Sequence, residues 1–250
     1  DQSRIDPNRF WTHNDAGNPP IIYAVSSRGA PLAQVRVNGV SSEDWEDIEA
    51  GPCDGANCLF IADIGDNEAK RSSISVYQVT APSAGASAVS PSRTMKARYP
   101  GGARDAEAMF VHAGDIYLVT KGRNGPIELY KWPKAAADGG GVVTLEKIRG
   151  VLSAPRSADD RITSASASPD GKWVAIRSYR TIYFYSARSL LDSSDKSVTP
   201  VTSDLGQMKE AKGEGLALAN DGSVWLSTEA AGKRPAAIAR VQCDLKTVTG

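Results

Sequence analysis

Glutamates recur at one position of an internal repeat. Glu46, Glu107 and Glu214 each open a short apolar run, and Thr163 stands at the same place in a fourth copy. Three glutamates that converge on one point repel one another unless something neutralises them. A Ca²⁺ ion does so with roughly six to eight oxygen ligands from carboxylates, amides and water. A second interpretation stays open, in which each glutamate pairs with an arginine or caps backbone amides and only holds neighbouring units together.

More polar residues follow the second apolar run of each copy. The segment DIGDN, from Asp63 to Asn67, offers carboxylate and amide oxygens that suit Ca²⁺, although it could also be a plain acidic turn built on Gly65. The candidate metal ligands are Glu46, Asp47, Asp63, Asp66, Asn67, Glu107 and Glu214.

These residues predict one of two functions. In the first, a bound Ca²⁺ polarises an anionic ester, with phosphate esters first, and lowers the pKa of a bound water. His13 or a free carboxylate would then move protons, although a solvated or capping histidine is the alternative for His13. The candidate catalytic residues are His13, Glu46, Glu107 and Glu214, and the candidate substrate-binding residues are Asn14, Asp15, Lys121, Arg123, Arg177 and Glu229. The competing hypothesis is a non-catalytic module that binds a glycan, a peptide or a protein.

The repeat predicts the fold that positions these residues. The second run of each copy closes at His13, Asp63, Thr120, Arg177 and Thr228, so one unit is about 50 to 57 residues long. Within each unit, short β-branched and aromatic runs alternate with Gly, Asn, Asp and Pro clusters, which is typical of strands. We therefore predict an all-β chain, a five-bladed β-propeller of four-stranded antiparallel blades.

The propeller is expected to be one domain, residues 1–250, with blade units at about 1–43, 44–102, 103–158, 159–208 and 209–250. The first unit lacks an innermost strand and the last stops after its third, so the ends should make a minimal closure or belong to a longer chain. In such a blade, the loop that enters the first strand and the loop that leaves the second lie together at one mouth of the axial channel. The candidate residues fall on these loops.

Composition limits the partners and the compartment. The 29 basic residues balance the 29 acidic ones, which argues against nucleic-acid binding, and no apolar run approaches a membrane span of about 18 residues. Cys53 and Cys58 predict a small loop disulfide and hence a secreted or periplasmic protein. A zinc site is disfavoured because the chain has only two histidines. We expect a monomer that binds a small anionic ligand, a carbohydrate or a peptide.

Short motifs add a resemblance. The chain contains W-x-H-N-D-x-G from Trp11, then D-W-E-D-I, D-I-G-D-N and D-A-E-A-M, and it resembles a family of secreted, uncharacterised, WD40-like (YVTN-like) bacterial propellers. RDAEAMFV and GEGLAL are also similar to the inner-strand motifs of β-propeller phytases, which implies a Ca²⁺-dependent phosphatase. In architecture the chain is similar to lactonase and phosphotriesterase propellers, which implies an axial Ca²⁺ held by Glu, Asn and Asp.

Overall fold

Five small sheets form a ring in the computed structural model, which describes residues 1–134, 141–210, 212–219, 221–243 and 245. The predicted five-bladed β-propeller is confirmed. Each sheet is one blade, and the blades follow one another in chain order. The only α-helix in the described ranges is a short one, α1 (Ala187–Leu191).

The strands of each blade are given in chain order. Blade 1 contains β1 (Arg9–His13), β2 (Ile21–Ser26) and β3 (Pro31–Val37), and blade 2 contains β4 (Trp45–Cys53), β5 (Ala56–Asp63), β6 (Ile74–Thr80) and β8 (Arg93–Arg98). Blade 3 contains β9 (Ala106–His112), β10 (Asp115–Thr120), β11 (Ile127–Lys131) and β13 (Glu146–Leu152). Blade 4 contains β14 (Ile162–Ala167), β15 (Trp173–Ser178), β16 (Thr181–Ser186) and β17 (Val201–Asp204), and blade 5 contains β18 (Gly213–Leu218), β19 (Ser223–Thr228) and β20 (Ala237–Gln242).

Two further short strands strap neighbouring blades together. β7 (Ala88–Val89) leaves blade 2 and pairs in parallel with the outer strand β3 of blade 1. β12 (Val142–Thr144) leaves blade 3 and pairs in parallel with β8 of blade 2. As a result, the sheets hold four, five, four, four and, within the described residues, three strands, so the predicted uniform count of four antiparallel strands is an idealisation.

In the first blade a short N-terminal segment takes the place of the innermost strand. β1 corresponds to the second strand of the other blades, and residues 1–3 lie beside it through a bridge between Gln2 and Phe10. The Trp11 amide donates to the Asp1 carbonyl over 2.8 Å, and the Ser3 amide donates to the Arg9 carbonyl over 2.9 Å. Phe10 also packs against Trp225, with 4.7 Å between the ring centroids, so an aromatic contact joins the first blade to the last.

The core lies between successive blades, because each blade buries both of its faces. In β5, Leu59 and Ile61 join the apolar cluster shared with blade 1, whereas Phe60 and Ala62 join the cluster shared with blade 3. Successive side chains of a strand point to opposite faces, so a strand buried on both sides reads as one continuous apolar run. This explains the uninterrupted run that follows Cys58.

Cys53 and Cys58 form the predicted disulfide across the β4–β5 hairpin, at the end of the blade away from the mouth. Cys243 is a free thiol and is half-buried. No helix among the described residues is long and apolar enough to cross a membrane.

Candidate functional site

The same irregularity begins the inner strand of four blades. The pairing register shifts between Trp45 and Asp47 in blade 2, and it shifts at the equivalent point in blades 3, 4 and 5. A bulge leaves one residue unpaired and re-aims its side chain. The residues within these bulges are the four predicted from the repeat, and we call them the mouth ring: Glu46, Glu107, Thr163 and Glu214.

Two members of the mouth ring are neutralised by lysines. Glu107 forms an ion pair with Lys121, and both side chains are buried. Glu214 lies 2.9 Å from the Lys212 ammonium group, which also contacts Glu229 at 2.8 Å. These pairs leave Lys121 and Glu229, both predicted to bind substrate, engaged with neighbours inside the protein.

Glu46 has a different environment. Carboxylate oxygens of Asp15, Asp44 and Glu46 lie within 4.8 Å of one another, and we call these three residues the acidic cluster. Asp15 comes from the loop after β1, whereas Asp44 and Glu46 come from the start of β4, so the cluster joins blades 1 and 2. No ion pair connects any of the three to a basic side chain of the described residues.

Two carboxyl groups of the acidic cluster, those of Glu46 and Asp44, have raised pKa values. Burial, followed by repulsion from Asp44 and Asp15, raises the pKa of Glu46 to about 10. Burial and the charges of Asp15 and Asp105 raise the pKa of Asp44 to about 6. Closely spaced carboxylates of this kind either keep a proton or bind a cation. The cluster therefore suits a hard divalent cation in place of its protons.

Gly65 makes room for the acidic cluster. A Cβ atom at this position would lie 2.2 Å from Glu46 Oε1 and 2.4 Å from Asp44 Oδ2, so only glycine fits against the two carboxylates. The Gly65 amide also donates to the Asp44 carbonyl over 3.2 Å. The glycine of the DIGDN segment thus serves the cluster directly.

Asp105 extends the acidic region toward blade 3. It is buried, and its Oδ1 accepts the Asp66 amide over 3.0 Å. Its Oδ2 has no hydrogen-bond partner among the described residues. A buried carboxylate oxygen without a partner is costly, and this oxygen is a further candidate acceptor beside Asp44 and Glu46.

The other predicted metal ligands are engaged in hydrogen bonds. Asp63 lies 2.9 Å from Arg71 and accepts the Asp44 amide over 3.1 Å, so it fixes the loop that carries Asp44. Asp66 accepts the Lys70 and Arg71 amides, each over 2.8 Å, as in an acidic turn. The side chains of Asn67 and Asp47 are also occupied, the first by Arg123 and the second by amides of three blades.

His13 lies beside the acidic cluster in a neutral form. Its Nδ1 is 3.0 Å from the Asn14 carbonyl, so Nδ1 carries the proton and Nε2 is free to accept one. Burial lowers the pKa of His13 below its ordinary value, although Asp15 and Glu229 act in the opposite direction. A half-buried neutral imidazole at the mouth can serve as a base or as a nitrogen ligand.

Two of the predicted substrate-binding residues form hydrogen bonds within the protein. Arg177 is completely buried, and its guanidinium donates to the Gly215 carbonyl over 2.8 Å and pairs with Glu210. It is enclosed within blades 4 and 5 and cannot reach a ligand at the mouth. Asn14 donates to the Tyr23 hydroxyl over 3.2 Å.

Sequence reasoning missed four residues of the mouth, although a signal for three of them exists. Asp44, Asp105 and Lys212 each stand two positions before a glutamate of the mouth ring, so the repeat could have identified the pair of positions instead of the second alone. Tyr179 carries no such signal. Burial and the charge of Glu214 raise its pKa to about 12.

The raised pKa of Glu46 predicts a pH dependence in chelator-treated protein. Its pKa of about 10 in the folded state exceeds the ordinary value, so the folded protein binds more protons than the unfolded one and loses stability as the pH rises toward 10. Glu46→Gln removes this contribution, which is at most about 1.4 kcal/mol per pH unit. Denaturation between about pH 7 and 9 should show a flatter decline for Glu46→Gln than for the wild type. Parallel curves would show that Glu46 does not hold its proton.

Comparisons with known proteins assign no sequence family to the chain. No protein-family model matches the chain, and no curated protein matches its sequence. One matching solved structure is a candidate 6-phosphogluconolactonase from Bacteroides uniformis ATCC 8492, with a TM-score of 0.47 and 10% sequence identity. The match covers 98% of this chain and 67% of that one. The five sheets of the chain itself support the predicted propeller fold, and no sequence family is shown.

Proposed function

We propose that the protein is exported, binds Ca²⁺ at the acidic cluster and uses it to hydrolyse a small anionic ester, with phosphate esters as the first class to test. The observation that carries the proposal is the cluster itself: three carboxylates from two blades within 4.8 Å, without a basic partner in the described part of the chain. The Cys53–Cys58 disulfide supports export, because such bonds persist in oxidising compartments.

The residues present fit a hard cation. Asp15, Asp44 and Glu46 would hold it through carboxylate oxygens, which Ca²⁺ prefers, and three negative charges exceed the charge of the ion. When bound, such an ion polarises an ester oxygen and lowers the pKa of a bound water. The Gly65 backbone packs directly against the Asp44 and Glu46 carboxylates, so it limits their movement on that side.

Proton transfer would fall to groups beside the cluster. His13 Nε2 is free to accept a proton, because Nδ1 is engaged with the Asn14 carbonyl. The Tyr179 hydroxyl is protonated at neutral pH, as tyrosines ordinarily are, and burial raises its pKa further. Glu107 and Glu214 were predicted as catalytic from the repeat. In this proposal they instead form ion pairs with lysines, and these pairs set the net charge of the mouth.

A binding module is the second candidate, and the lysine pairs favour it. Two of the three mouth-ring glutamates are neutralised within the protein, as expected of residues that hold blades together. In this case the mouth would recognise a glycan, a peptide or a protein through a bound Ca²⁺ and perform no chemistry.

The test is a hydrolysis assay with an aryl phosphate and a set of lactones, with Ca²⁺ and with excess chelator. We expect turnover only with Ca²⁺, and a loss of about 100-fold or more for Glu46→Gln, a loss typical of changes at metal sites. Glu43→Gln is the matched control, since Glu43 is on the same loop but largely exposed. Turnover that survives chelation or Glu46→Gln would overturn the hydrolase. Calcium binding lost in Glu46→Gln, without turnover of any ester, would favour the binding module.

A further inference from the structure

A second concave site lies on the mouth face between blades 2 and 3. It is a cavity of about 320 Å³, formed by the loop after β5 and the loop between β8 and β9. Its polar lining includes Arg71, Arg98, Tyr99 and Arg104. The Ile64–Arg71 segment separates it from the acidic cluster, because Gly65 contacts Asp44 and Glu46 while Asp66 and Arg71 line the cavity.

The charge of this cavity is positive. Three arginines line it, and the only acidic residue in its lining is Asp66. Both carboxylate oxygens of Asp66 already accept backbone amides, from Lys70 and Arg71. Asp63 and Glu43 neutralise one edge of the Arg71 guanidinium. Arg104 Nε lies 3.8 Å from Glu128 Oε2 and its Nη1 donates to backbone carbonyls of residues 101–103, so Nη2 is the part of this guanidinium available to a ligand. Arg98 is exposed and forms no ion pair with a described residue, and its Nε donates to the Thr144 hydroxyl over 3.2 Å.

Two hydrogen-bond donors in the lining are buried and unused. The Tyr99 side chain is only 6% exposed, and its hydroxyl has no partner among the described residues. Arg71 Nε is likewise buried without a partner within the described ranges. Burial raises the pKa of Tyr99, and the nearby carboxylate of Asp105 acts in the same direction, so the hydroxyl remains a donor. A buried donor left unpaired is costly, so an acceptor on a ligand that reaches these two donors would be favoured.

We propose that this cavity binds the tetrahedral oxyanion of a small ligand, a phosphate or sulfate group, through Arg71 Nε, the Tyr99 hydroxyl and the guanidinium groups of Arg98 and Arg104. The guanidinium groups and the tyrosine hydroxyl can donate several hydrogen bonds to the oxygens of one phosphate or sulfate group. Hydrogen bonds from a charged guanidinium to such an anion are stronger than those between neutral groups. This anion site uses none of the predicted residues Lys121, Arg123 and Arg177. The inference does not depend on the cation site, since it uses no residue of the acidic cluster.

The experiment is calorimetric titration of the full chain with inorganic phosphate after chelator treatment, with sulfate as a second probe and chloride as the ionic-strength control. We expect saturable binding of phosphate at one site. Tyr99→Phe, which removes only the hydroxyl, should weaken binding about tenfold or more, as for the loss of a hydrogen bond to a charged group. Arg98→Gln should weaken it about tenfold, and it keeps the test valid if Tyr99→Phe disturbs folding.

Arg180→Gln is the matched control, because Arg180 is also an exposed arginine at the mouth but belongs to blade 4. It should bind phosphate as the wild type does. The proposal fails if phosphate and sulfate give no saturable heat, or if Arg98→Gln and Arg180→Gln bind equally well. A loss confined to Arg123→Gln would place the anion at the central mouth and would also overturn it.

Discussion

Replacing Asp47 with alanine should lower the free energy of unfolding by about 3 to 4 kcal/mol. Asp47 is buried on the propeller axis, where its carboxylate accepts the amides of Ile48 and Met109, each over 2.9 Å, and that of Ala165 over 3.3 Å. The Ser164 hydroxyl also donates to it over 3.3 Å and in turn accepts the Leu216 amide over 3.2 Å.

One carboxylate therefore links the inner strands of four blades. Alanine leaves several buried donors without an acceptor, and each such group costs about 1 to 3 kcal/mol. Equilibrium denaturation in guanidinium chloride measures the loss. Asp47→Asn is the control, because it retains one acceptor oxygen and should lose only about half as much. A loss below about 1 kcal/mol for Asp47→Ala would show that the axis does not depend on this residue.

Replacing Arg177 with methionine should cost about 3 to 5 kcal/mol, which is typical of breaking a buried ion pair from one side. The Arg177 guanidinium donates to the carbonyls of Gly215 and Ser227 and pairs with Glu210. Methionine fills much of the volume but leaves the Glu210 carboxylate buried and unpaired. The enclosure is tight, since a Cβ atom on Gly213 would collide with Arg177 Nη2.

Denaturation of matched variants separates this ion pair from a general effect of lost charge. Arg180→Met, at an exposed arginine of the same blade, should change the free energy of unfolding by less than about 0.5 kcal/mol. The double substitution Arg177→Met with Glu210→Gln should recover part of the loss, because the unpaired charge is then gone. Equal losses for the single and double variants would show that the ion pair is not the cause.

The sequence repeat was sufficient to predict most of the fold. The alternation of β-branched runs and turns, with a unit of about 50 to 57 residues, predicted five blades, and the register of the repeats identified the mouth ring. That register is visible because the bulge recurs at Glu46, Glu107, Thr163 and Glu214 together with the residues around it. The spacing of Cys53 and Cys58 predicted the disulfide in the same way. Local sequence determines each of these features.

The partners of the ring could not be predicted, since they depend on side chains from distant parts of the chain. Nothing in the sequence around Glu46 distinguishes it from Glu107, yet Lys121 reaches Glu107 in an ion pair while Asp15 approaches Glu46 from another blade. The sequence likewise predicted Arg177 at the mouth because it closes the second strand of its unit, and its side chain points instead into the interface with blade 5. The parallel pairing of β7 and β12 with the preceding blades was missed because the local pattern does not identify the partner of a strand; the VVT run of β12 reads as a strand of its own blade.

The most direct test of the account is calorimetric titration of chelator-treated protein with Ca²⁺, with thermal melting alongside. We predict saturable binding at one site, a raised melting temperature, and release of protons, because the ion replaces the proton that Glu46 holds through its raised pKa. Glu46→Gln should lose most of this binding, and Glu43→Gln should keep it. Absence of heat together with an unchanged melting temperature would contradict the cation site, and with it the Ca²⁺-dependent function proposed for this propeller.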